Sequence, residues 1–258
     1  MLKYPISTLL YLAKINIKDK IQDALKLKDN LDIRLTVTVK DKDGKIIKQH
    51  KQKSHSFLMN YLAMIATLMA NPYSSTYNST TYYYYFKSTA GEWCSYAAYY
   101  SNAPGGWFTT ISGALATLDG ANDSTYGIVV GTGTAPPKPT DYNLESIIQN
   151  GTGSGQLVYG AVTVSPTPGT GGLANSSSTP SSGVLTPSGN TTSFQILRTF
   201  QNQSGASITV SETGIIAEVL ANGSNTEYVL IIHDLLSSPI TIPNGGVMAI
   251  TYTISVST

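Results

Sequence analysis

The most constraining feature of this sequence is an alternation of apolar and polar side chains in two segments. One lies near the beginning of the sequence and the other near its end. Apolar residues occupy every second position from Met248 to Val256, and Leu, Ile or Val occupies every odd position in Leu31–Lys40. A period of two places one side of a strand on a core and the other side in water. Both segments are therefore predicted to be half-buried β-strands.

Short strand patterns separated by turn residues fill the chain after Gly127. One hairpin signal, Asn202–Gly205, separates two such patterns, and a second, Asn222–Asn225, separates the next two. Short strands at this spacing are typical of antiparallel sandwiches. The predicted fold is mainly β, with an antiparallel, jelly-roll-like β-sandwich over residues 127–258 and a flexible Ser/Thr/Gly/Pro-rich loop at 165–192.

Residues 1–70 are predicted to form a basic anchoring or assembly segment made of a helix, a β-hairpin and a second helix. Ile6–Lys28 has apolar residues at helical spacing, which predicts an amphipathic helix. The hairpin turns at Gly44 between Leu31–Lys40 and Lys45–Lys53. Phe57–Ala70 is apolar on all sides, which predicts a helix buried in the fold or between subunits; its 14 residues are fewer than the roughly 20 that cross a bilayer.

Charge is divided unevenly along the chain. Residues 1–56 contain 13 of the 16 Lys and Arg residues against 6 acidic residues, a net charge of +7, and the remainder carries −6. The basic part suits nucleic acid, an anionic membrane surface, an acidic neighbouring subunit, or simply a solvated Lys-rich face. No sequence-specific binding of nucleic acid is expected. The candidate anchoring residues are Lys14, Lys18, Lys20, Lys48, Lys51 and Lys53.

Residues 71–126 are predicted to be a Tyr-rich insertion or interface region. Nine tyrosines fall between positions 73 and 108. Tyrosine buries a large ring and keeps a hydroxyl for water or a partner, so it is enriched at recognition surfaces. The other interpretations are ordinary strands with tyrosines on both faces, or a loop. The candidate interface residues are Tyr82, Tyr83, Tyr84, Tyr85, Trp93, Tyr99, Tyr100 and Trp107.

Seven Asn-X-Ser/Thr sequons lie in the acidic part of the chain, and none lies in residues 1–70. This one-sided placement favours a glycoprotein domain that faces outward. The candidate glycosylation sites are Asn78, Asn122, Asn150, Asn175, Asn190, Asn202 and Asn222.

The histidines and the single cysteine form no recognisable catalytic motif. His233 and Asp234 are neighbours on a strand and point to opposite faces, so His233 is predicted to be a strand-end histidine rather than a base. His50, His55 and His233 lack the spacing of a zinc site. Cys94 excludes an intrachain disulfide and is predicted to be a packed thiol.

No catalytic residue, metal or cofactor is therefore predicted, and the chain is not expected to be an enzyme. Charged residues make up only 12% of the chain, which favours solvent-facing sheets and loops over a helical cytosolic enzyme. One alternative stays open: Glu212 and Glu218, each flanked by apolar residues, as the carboxylate pair of a glycosidase.

Strand–turn patterns in this chain resemble those of structural proteins of phages and archaeal viruses. The patterns are Arg198–Gly214, His233–Gly246, the Gly131–Asp141 loop, and the Gly44 turn that leads to Ser54–Phe57. The resemblance implies a minor virion protein of tail, nozzle, adaptor, vertex or turret type. Such proteins form homo-oligomeric rings, contact other virion proteins and are exposed on the particle. The content of Tyr, Asn and Thr with a single Cys is also reminiscent of viruses of thermoacidophilic archaea.

Other functions compete with the virion subunit. The Tyr-rich stretch Tyr73–Trp107 has no counterpart in those viral proteins and suits a host-attachment or glycan-binding module. The helix over residues 1–28 suits contact with either a virion membrane or protein. A secreted cell-surface β-protein is a further alternative, although Lys14 interrupts the apolar stretch that a cleavable signal peptide would need.

Overall fold

A computed structural model describes residues 31–54, 57–70, 85–95, 120–166, 185–221 and 225–257. Over these ranges the protein is mainly β, as predicted, and its sheets are antiparallel. The elements in chain order are β1 (Leu31–Lys40), β2 (Ile46–Lys53), α1 (Met59–Ala70), β3 (Tyr85–Lys87), β4 (Trp93–Ser95), β5 (Gly127–Gly131), β6 (Val158–Tyr159), β7 (Thr163–Ser165), β8 (Thr191–Gln201), β9 (Ile208–Ala221), β10 (Asn225–Ile242) and β11 (Val247–Ser257).

The largest sheet has six strands in the order β2-β1-β11-β8-β6, with β7 also paired to β8. The alternation that was read from the sequence fixes its faces, because Leu35 and Val37 of β1 and Ile250 and Tyr252 of β11 are all buried. β1 lies beside β11 from Leu31 opposite Val256 to Lys40 opposite Val247. The two ends of the described chain thus form the centre of this sheet.

The second sheet has three strands in the order β10-β9-β5. β9 and β10 pair antiparallel, as the hairpin signal at Asn222–Asn225 predicts. β5 is buried at all five positions, so it is covered on both faces. One continuous buried apolar cluster includes side chains from both sheets.

The hairpin predicted at Asn202–Gly205 is wrong. β8 pairs with β11, and β9 pairs with β5 and β10, so the turn passes from one sheet to the other. The buried amide of Asn202 fixes this passage, because its Nδ2 donates to the carbonyl oxygens of Ala206 at 2.8 Å and Ile242 at 2.9 Å. The residues mark a turn correctly, but the strands on its two sides have different partners.

The β1–β2 hairpin belongs to the six-stranded sheet, so residues 31–53 are not a segment separate from the C-terminal strands. Its turn has Gly44 at φ 81°, a conformation that favours glycine. Three alternate side chains of β2 bind β10. Lys48 Nζ donates to the carbonyl oxygen of Pro239 at 3.0 Å, Gln52 Nε2 donates to that of Leu235 at 3.0 Å, and His50 Nε2 lies 3.2 Å from Ser237 Oγ. Lys48 thus also binds within its own fold, and its assignment as an anchoring residue stays a prediction.

Helix α1 is only partly buried in the described chain. Asn60 and Ala63 face inward, and the Asn60 side chain hydrogen-bonds the backbone of Lys87 and Leu230. Met59 and Leu62 are exposed, so the prediction of a helix buried on all sides is not met within the described protomer. In the part of the chain that the structure describes, no helix has the length and apolarity needed to cross a membrane.

Several predictions concern residues outside the ranges that the structure describes. The amphipathic helix Ile6–Lys28, most of the Tyr-rich region and residues 167–184 of the predicted loop lie outside the described residues. The loop predicted at 165–192 is shorter than expected at both ends, because Ser165 belongs to β7 and β8 begins at Thr191.

Candidate functional site

A buried histidine lies between two carboxylates where β9 and β10 meet the loop that follows β5. His233 Nδ1 is 2.9 Å from Asp141 Oδ2, and His233 Nε2 is 3.0 Å from Glu212 Oε2. When both carboxyl groups are ionised they can only accept hydrogen bonds, so both ring nitrogens then donate and the ring carries the imidazolium charge. His233 lies in the middle of β10, so its prediction as a strand-end histidine is wrong.

Glu212 is the hub of this cluster. Its Oε1 accepts from the backbone N–H of Gly133 at 3.0 Å and of Ser146 at 2.8 Å. Its Oε2 accepts from the N–H of Glu145 at 3.1 Å in addition to His233. Four donors therefore satisfy a carboxylate that is almost completely buried.

The other carboxylates of the loop hold its backbone in place. Asp141 Oδ2 accepts from the N–H of Lys138 at 2.7 Å, and Glu145 Oε2 accepts from those of Thr134 and Ala135 at 2.7 and 2.8 Å. The loop approaches Glu212 closely at Gly133, where an added Cβ would lie 2.5 Å from Glu212 Oε1. The glycine there makes room for the carboxylate rather than binding a phosphate.

The cluster shifts the pKa values of two of its members in opposite directions. Burial raises the pKa of Glu212, but the hydrogen bonds from His233 and from the backbone of Ser146, Glu145 and Gly133 outweigh it, so that pKa is lowered. Burial lowers the pKa of His233, but its bonds to Glu212 and Asp141 outweigh burial and raise it. Each partner thus favours the charged form of the other.

This geometry ties a loop to a sheet. Both nitrogens of His233 are engaged, so neither is available to take a proton from a substrate. Glu212 and Glu218 lie six residues apart on β9, about 20 Å, which exceeds the carboxylate separation of a glycosidase. The described residues contain no group of three or more His, Cys, Asp or Glu side chains arranged to hold a metal ion.

A cleft of 380 Å³ opens beside the cluster. Its walls are largely apolar, and the buried carboxyl group of Asp234 lies in it and accepts from Ser54 Oγ at 2.7 Å. Asp234 and His233 occupy separate sites, as expected from neighbouring positions on a strand. The lining residues are Gln52, Phe57, Leu58, Pro137, Lys138, Pro139, Asp234 and Leu235.

A second buried polar centre is built on Arg198 of β8. Its guanidinium donates to five backbone carbonyl oxygens and lies 4.8 Å from the centre of the Tyr159 ring. The carbonyls belong to Gly120, Asp123, Tyr126, Ile128 and Gly160. One side chain therefore holds the chain that enters β5 against the six-stranded sheet.

An exposed aromatic face is formed by Tyr85, Lys87 and Trp93 of the β3–β4 pair together with Tyr142. Tyr85 and Trp93 are among the most exposed large side chains of the described residues. Lys87 Nζ lies 4.2 Å from the centre of the Tyr142 ring. Phe86 and Cys94 point the other way and are buried, so one face of the β3–β4 pair is exposed and the other is buried.

The outer side of the six-stranded sheet is polar and carries Lys51 and Lys53 of β2. A shallow groove of 780 Å³ is lined there by Ser and Thr hydroxyls with Arg34, Lys51 and Lys53. Asp32 binds Arg34 at 2.5 Å and Lys53 at 3.9 Å. Lys51 and Lys53 thus lie on an open basic surface, and their role as anchoring residues stays a prediction. Lys14, Lys18 and Lys20 lie outside the described residues.

The candidate glycosylation residues that the structure describes differ in their exposure. Asn122 and Asn190 are exposed, and the Asn150 amide is engaged with Asn122 and Tyr159. Asn202 is fully buried, and its Nδ2, the atom that would carry a glycan, donates two hydrogen bonds. Its assignment as a glycan site is therefore wrong. Outside the described residues lie Asn78, Asn175, Asn222, Tyr82, Tyr83, Tyr84, Tyr99, Tyr100 and Trp107.

Cys94 is buried and packs next to the aromatic face. Burial raises the pKa of its thiol, and the negative charges of Glu227 and Glu92 raise it further. A nucleophilic cysteine needs the opposite shift.

Sequence reasoning missed the cluster and the role of Arg198. Asp141, Glu212 and His233 are distant in the chain, so no spacing motif joins them. The available signal was a charged residue at a core-facing position of a strand, which requires a partner.

Comparison of the chain with protein-family models, with curated proteins and with solved structures gives no match.

Proposed function

We propose that this protein is a non-enzymatic structural subunit of a virus particle, which joins other copies of itself in a ring at a tail or vertex and is exposed on the particle surface. The viral context comes from the resemblance of Arg198–Gly214 and His233–Gly246 to virion proteins. The assembly role is carried by one observation, the exposed side of α1.

Helix α1 contains no charged residue, and yet part of it is exposed. β10 and β3 contact it, while Met59 and Leu62 are exposed. A helix without charge is normally buried, and an exposed apolar patch marks a protein contact. Burying one leucine side chain contributes about 1.5–3 kcal/mol, so this side of α1 suits an interface between subunits.

Replacing Leu62 with glutamate is expected to dissociate the assembly. At tens of micromolar, the wild-type protein should have a mass that is a multiple of the 27.5 kDa chain. Leu62→Glu places a charge in the contact and should weaken association on the order of 100-fold. Sedimentation equilibrium over a range of concentrations measures both.

Ile46→Glu is the matched control, since Ile46 is 55% exposed and Leu62 is 61% exposed. It lies on β2 and should leave the assembly intact. A wild-type protein that stays monomeric at high concentration, or equal effects of the two variants, would rule out α1 as the interface.

We propose further that the two larger sheets face each other as a sandwich. The buried cluster shared by both sheets supports this arrangement, as do the passages from β8 to β9 and from β10 to β11, which link one sheet to the other. A jelly-roll order of strands is the finer form of the same proposal. An experimental structure of the purified protein with the sheets side by side would contradict it.

The polar groove with Arg34, Lys51 and Lys53 is the proposed contact with an acidic surface of the particle, either another virion protein or its membrane. Residues 57–258 of a neighbouring copy carry a net charge of −6, which complements the basic groove. Such a contact weakens as salt rises, because exposed charges are screened.

A second candidate function, attachment to host-surface glycans, is favoured by the aromatic face. Exposed Tyr and Trp rings stack on the apolar faces of sugars, and Tyr85 and Trp93 offer two such rings on one face of the β3–β4 pair. Trp93→Ala is expected to abolish any glycan-array signal of the wild-type protein. Leu185→Ala, at another exposed apolar residue, should retain it. An array on which the wild-type protein binds no glycan would exclude this function.

A further inference from the structure

The base of the loop that follows β5 is fixed by bonds that do not involve His233. The backbone N–H groups of Gly133, Glu145 and Ser146 donate to the buried carboxylate of Glu212 at 3.0, 3.1 and 2.8 Å. Glu212 itself lies in β9, between β5 and β10. Backbone amides do not titrate, so these three bonds remain when the histidine changes its charge.

Residues 137–142, which we call the strap, lie further out on the same loop. Asp141 joins the strap to β10, because its Oδ2 lies 2.9 Å from His233 Nδ1. The carbonyl oxygen of Pro139 accepts from the N–H of Met59, the first residue of α1, at 2.9 Å. The strap thus connects the buried histidine to the start of α1.

The strap also supplies part of the lining of the 380 Å³ cleft, namely Pro137, Lys138 and Pro139. Two apolar side chains of the same lining, Leu58 and Leu235, are buried and half-buried. A strap that moved away from the cleft would uncover them.

The charge of His233 decides how firmly the strap is held. The charged ring has two donors, one for each carboxylate, whereas the neutral ring has one donor and one lone pair. A neutral ring therefore turns a lone pair toward one of the two carboxylates. Glu212 lies in a strand and keeps its backbone donors, but Asp141 lies on the loop. The strap is consequently the part that moves when the ring loses its proton.

The charged side chains that face His233 in the described part of the chain are both acidic, Glu212 from β9 and Asp141 from the loop. Glu145 binds backbone N–H groups of the loop instead, and Asp234 points to the other face of β10. Burial lowers the pKa of His233, but its bonds to Glu212 and Asp141 outweigh burial, so that pKa lies above the ordinary value of 6.5.

We propose that the strap is a pH-operated cover, which closes the cleft and holds the start of α1 while His233 is protonated and opens when His233 loses its proton. The base of the loop stays bound to Glu212 in both states. The contribution of the charged ring is complete below the ordinary value of 6.5 and is lost as pH rises through the folded value, so the strap opens above that ordinary value. This inference concerns a single chain and does not depend on the proposed ring.

Hydrogen exchange of the full-length protein, followed by mass spectrometry from about pH 6 to about pH 9, tests the cover. Each rate is divided by the rate of an unstructured peptide at the same pH. The corrected exchange of the strap amides and of the Met59 N–H should rise about tenfold as His233 titrates, within the range usual for two coupled sites. The three amides bound to Glu212 should show no such step.

Two aspartate variants test the coupling. Asp141→Asn keeps an acceptor for the N–H of Lys138 but removes one of the two charges that favour the protonated ring, so the step should move to lower pH. Asp123→Asn is the matched control, because Asp123 also accepts a backbone N–H of its own loop, that of Thr125, at 2.7 Å. It should leave the step where it is.

Three results would overturn the proposal. The first is a wild-type protein whose strap shows no step over this pH range. The second is a step that survives in His233→Gln, whose side chain cannot become cationic. The third is a rise shared equally by the strap and the three amides bound to Glu212, which would mean that the whole loop opens.

Thiol labelling gives an independent measure that leaves the charged cluster intact. In a Cys94→Ser background, Leu58→Cys places a thiol beneath the strap, and Leu35→Cys places one in β1 at similar burial, since Leu58 is 1% exposed and Leu35 is 0% exposed. As pH rises through the His233 transition, labelling of Leu58→Cys should accelerate about tenfold more than labelling of Leu35→Cys. Equal acceleration of the two would contradict opening at the cleft.

Discussion

Replacing Arg198 with methionine is expected to lower the free energy of unfolding by about 3–5 kcal/mol, because it breaks a buried, hydrogen-bonded charge network on one side only. The guanidinium is fully buried, and its donors reach carbonyl oxygens at 2.6–3.2 Å. Methionine has a similar length but no donor. The carbonyls of Gly120, Asp123, Tyr126, Ile128 and Gly160 would all lose their bond to Arg198, and a buried acceptor left without a partner costs about 1–3 kcal/mol.

Two further substitutions make this result specific to the buried guanidinium. Arg34→Met removes an arginine from β1 of the same sheet, but Arg34 is exposed and bound to Asp32, so this substitution should cost far less than Arg198→Met. Arg198→Lys keeps the charge with three donors in place of five, and its cost should be intermediate. Chemical denaturation gives all three values. An Arg198→Met protein within about 1 kcal/mol of the wild type would mean that water replaces the guanidinium.

The elements that sequence alone predicts well are those with a local pattern. β1 covers Leu31–Lys40 as the alternation indicates, and β9 and β10 pair across the predicted turn. Alternation reports which side chains face the core. It does not report which strand lies alongside, so neither the pairing of β1 with β11 nor the separation of β8 from β9 follows from it.

The contacts of the two buried polar centres, around Arg198 and His233, could not be predicted from the sequence for a related reason. Arg198 alternates with Ile196 and Phe200, so its inward direction can be read from the sequence. Its five acceptors among the described residues are backbone carbonyls, which carry no residue-specific signal. For His233 the partners are Asp141 and Glu212, and only the folded loop brings them together. Such contacts depend on long-range folding, which periodicity does not encode.

Replacing His233 with glutamine is expected to cost about 2–4 kcal/mol near pH 5.5, since it removes the charge between two carboxylates. Glutamine can still donate one hydrogen bond to Glu212, but it cannot become cationic and cannot reach Asp141 at the same time. His50→Gln is the control, because His50 is only partly buried and bonds Gln52 and Ser237. That variant should lose less than about 1 kcal/mol.

The pH dependence of the His233→Gln difference separates a charged cluster from a set of neutral hydrogen bonds. The raised pKa of His233 contributes stability that is fully present below the ordinary value of 6.5 and is lost as pH rises through the folded value. The lowered pKa of Glu212 contributes stability that is present above the ordinary value of 4.5 and is lost as pH falls through the folded value. The difference in unfolding free energy between wild type and variant should therefore be largest between about pH 4.5 and 6.5 and decline on both sides. A difference that instead grows steadily toward alkaline pH would show that the ring is neutral in the folded protein, and the cluster would then tie the loop by hydrogen bonds alone.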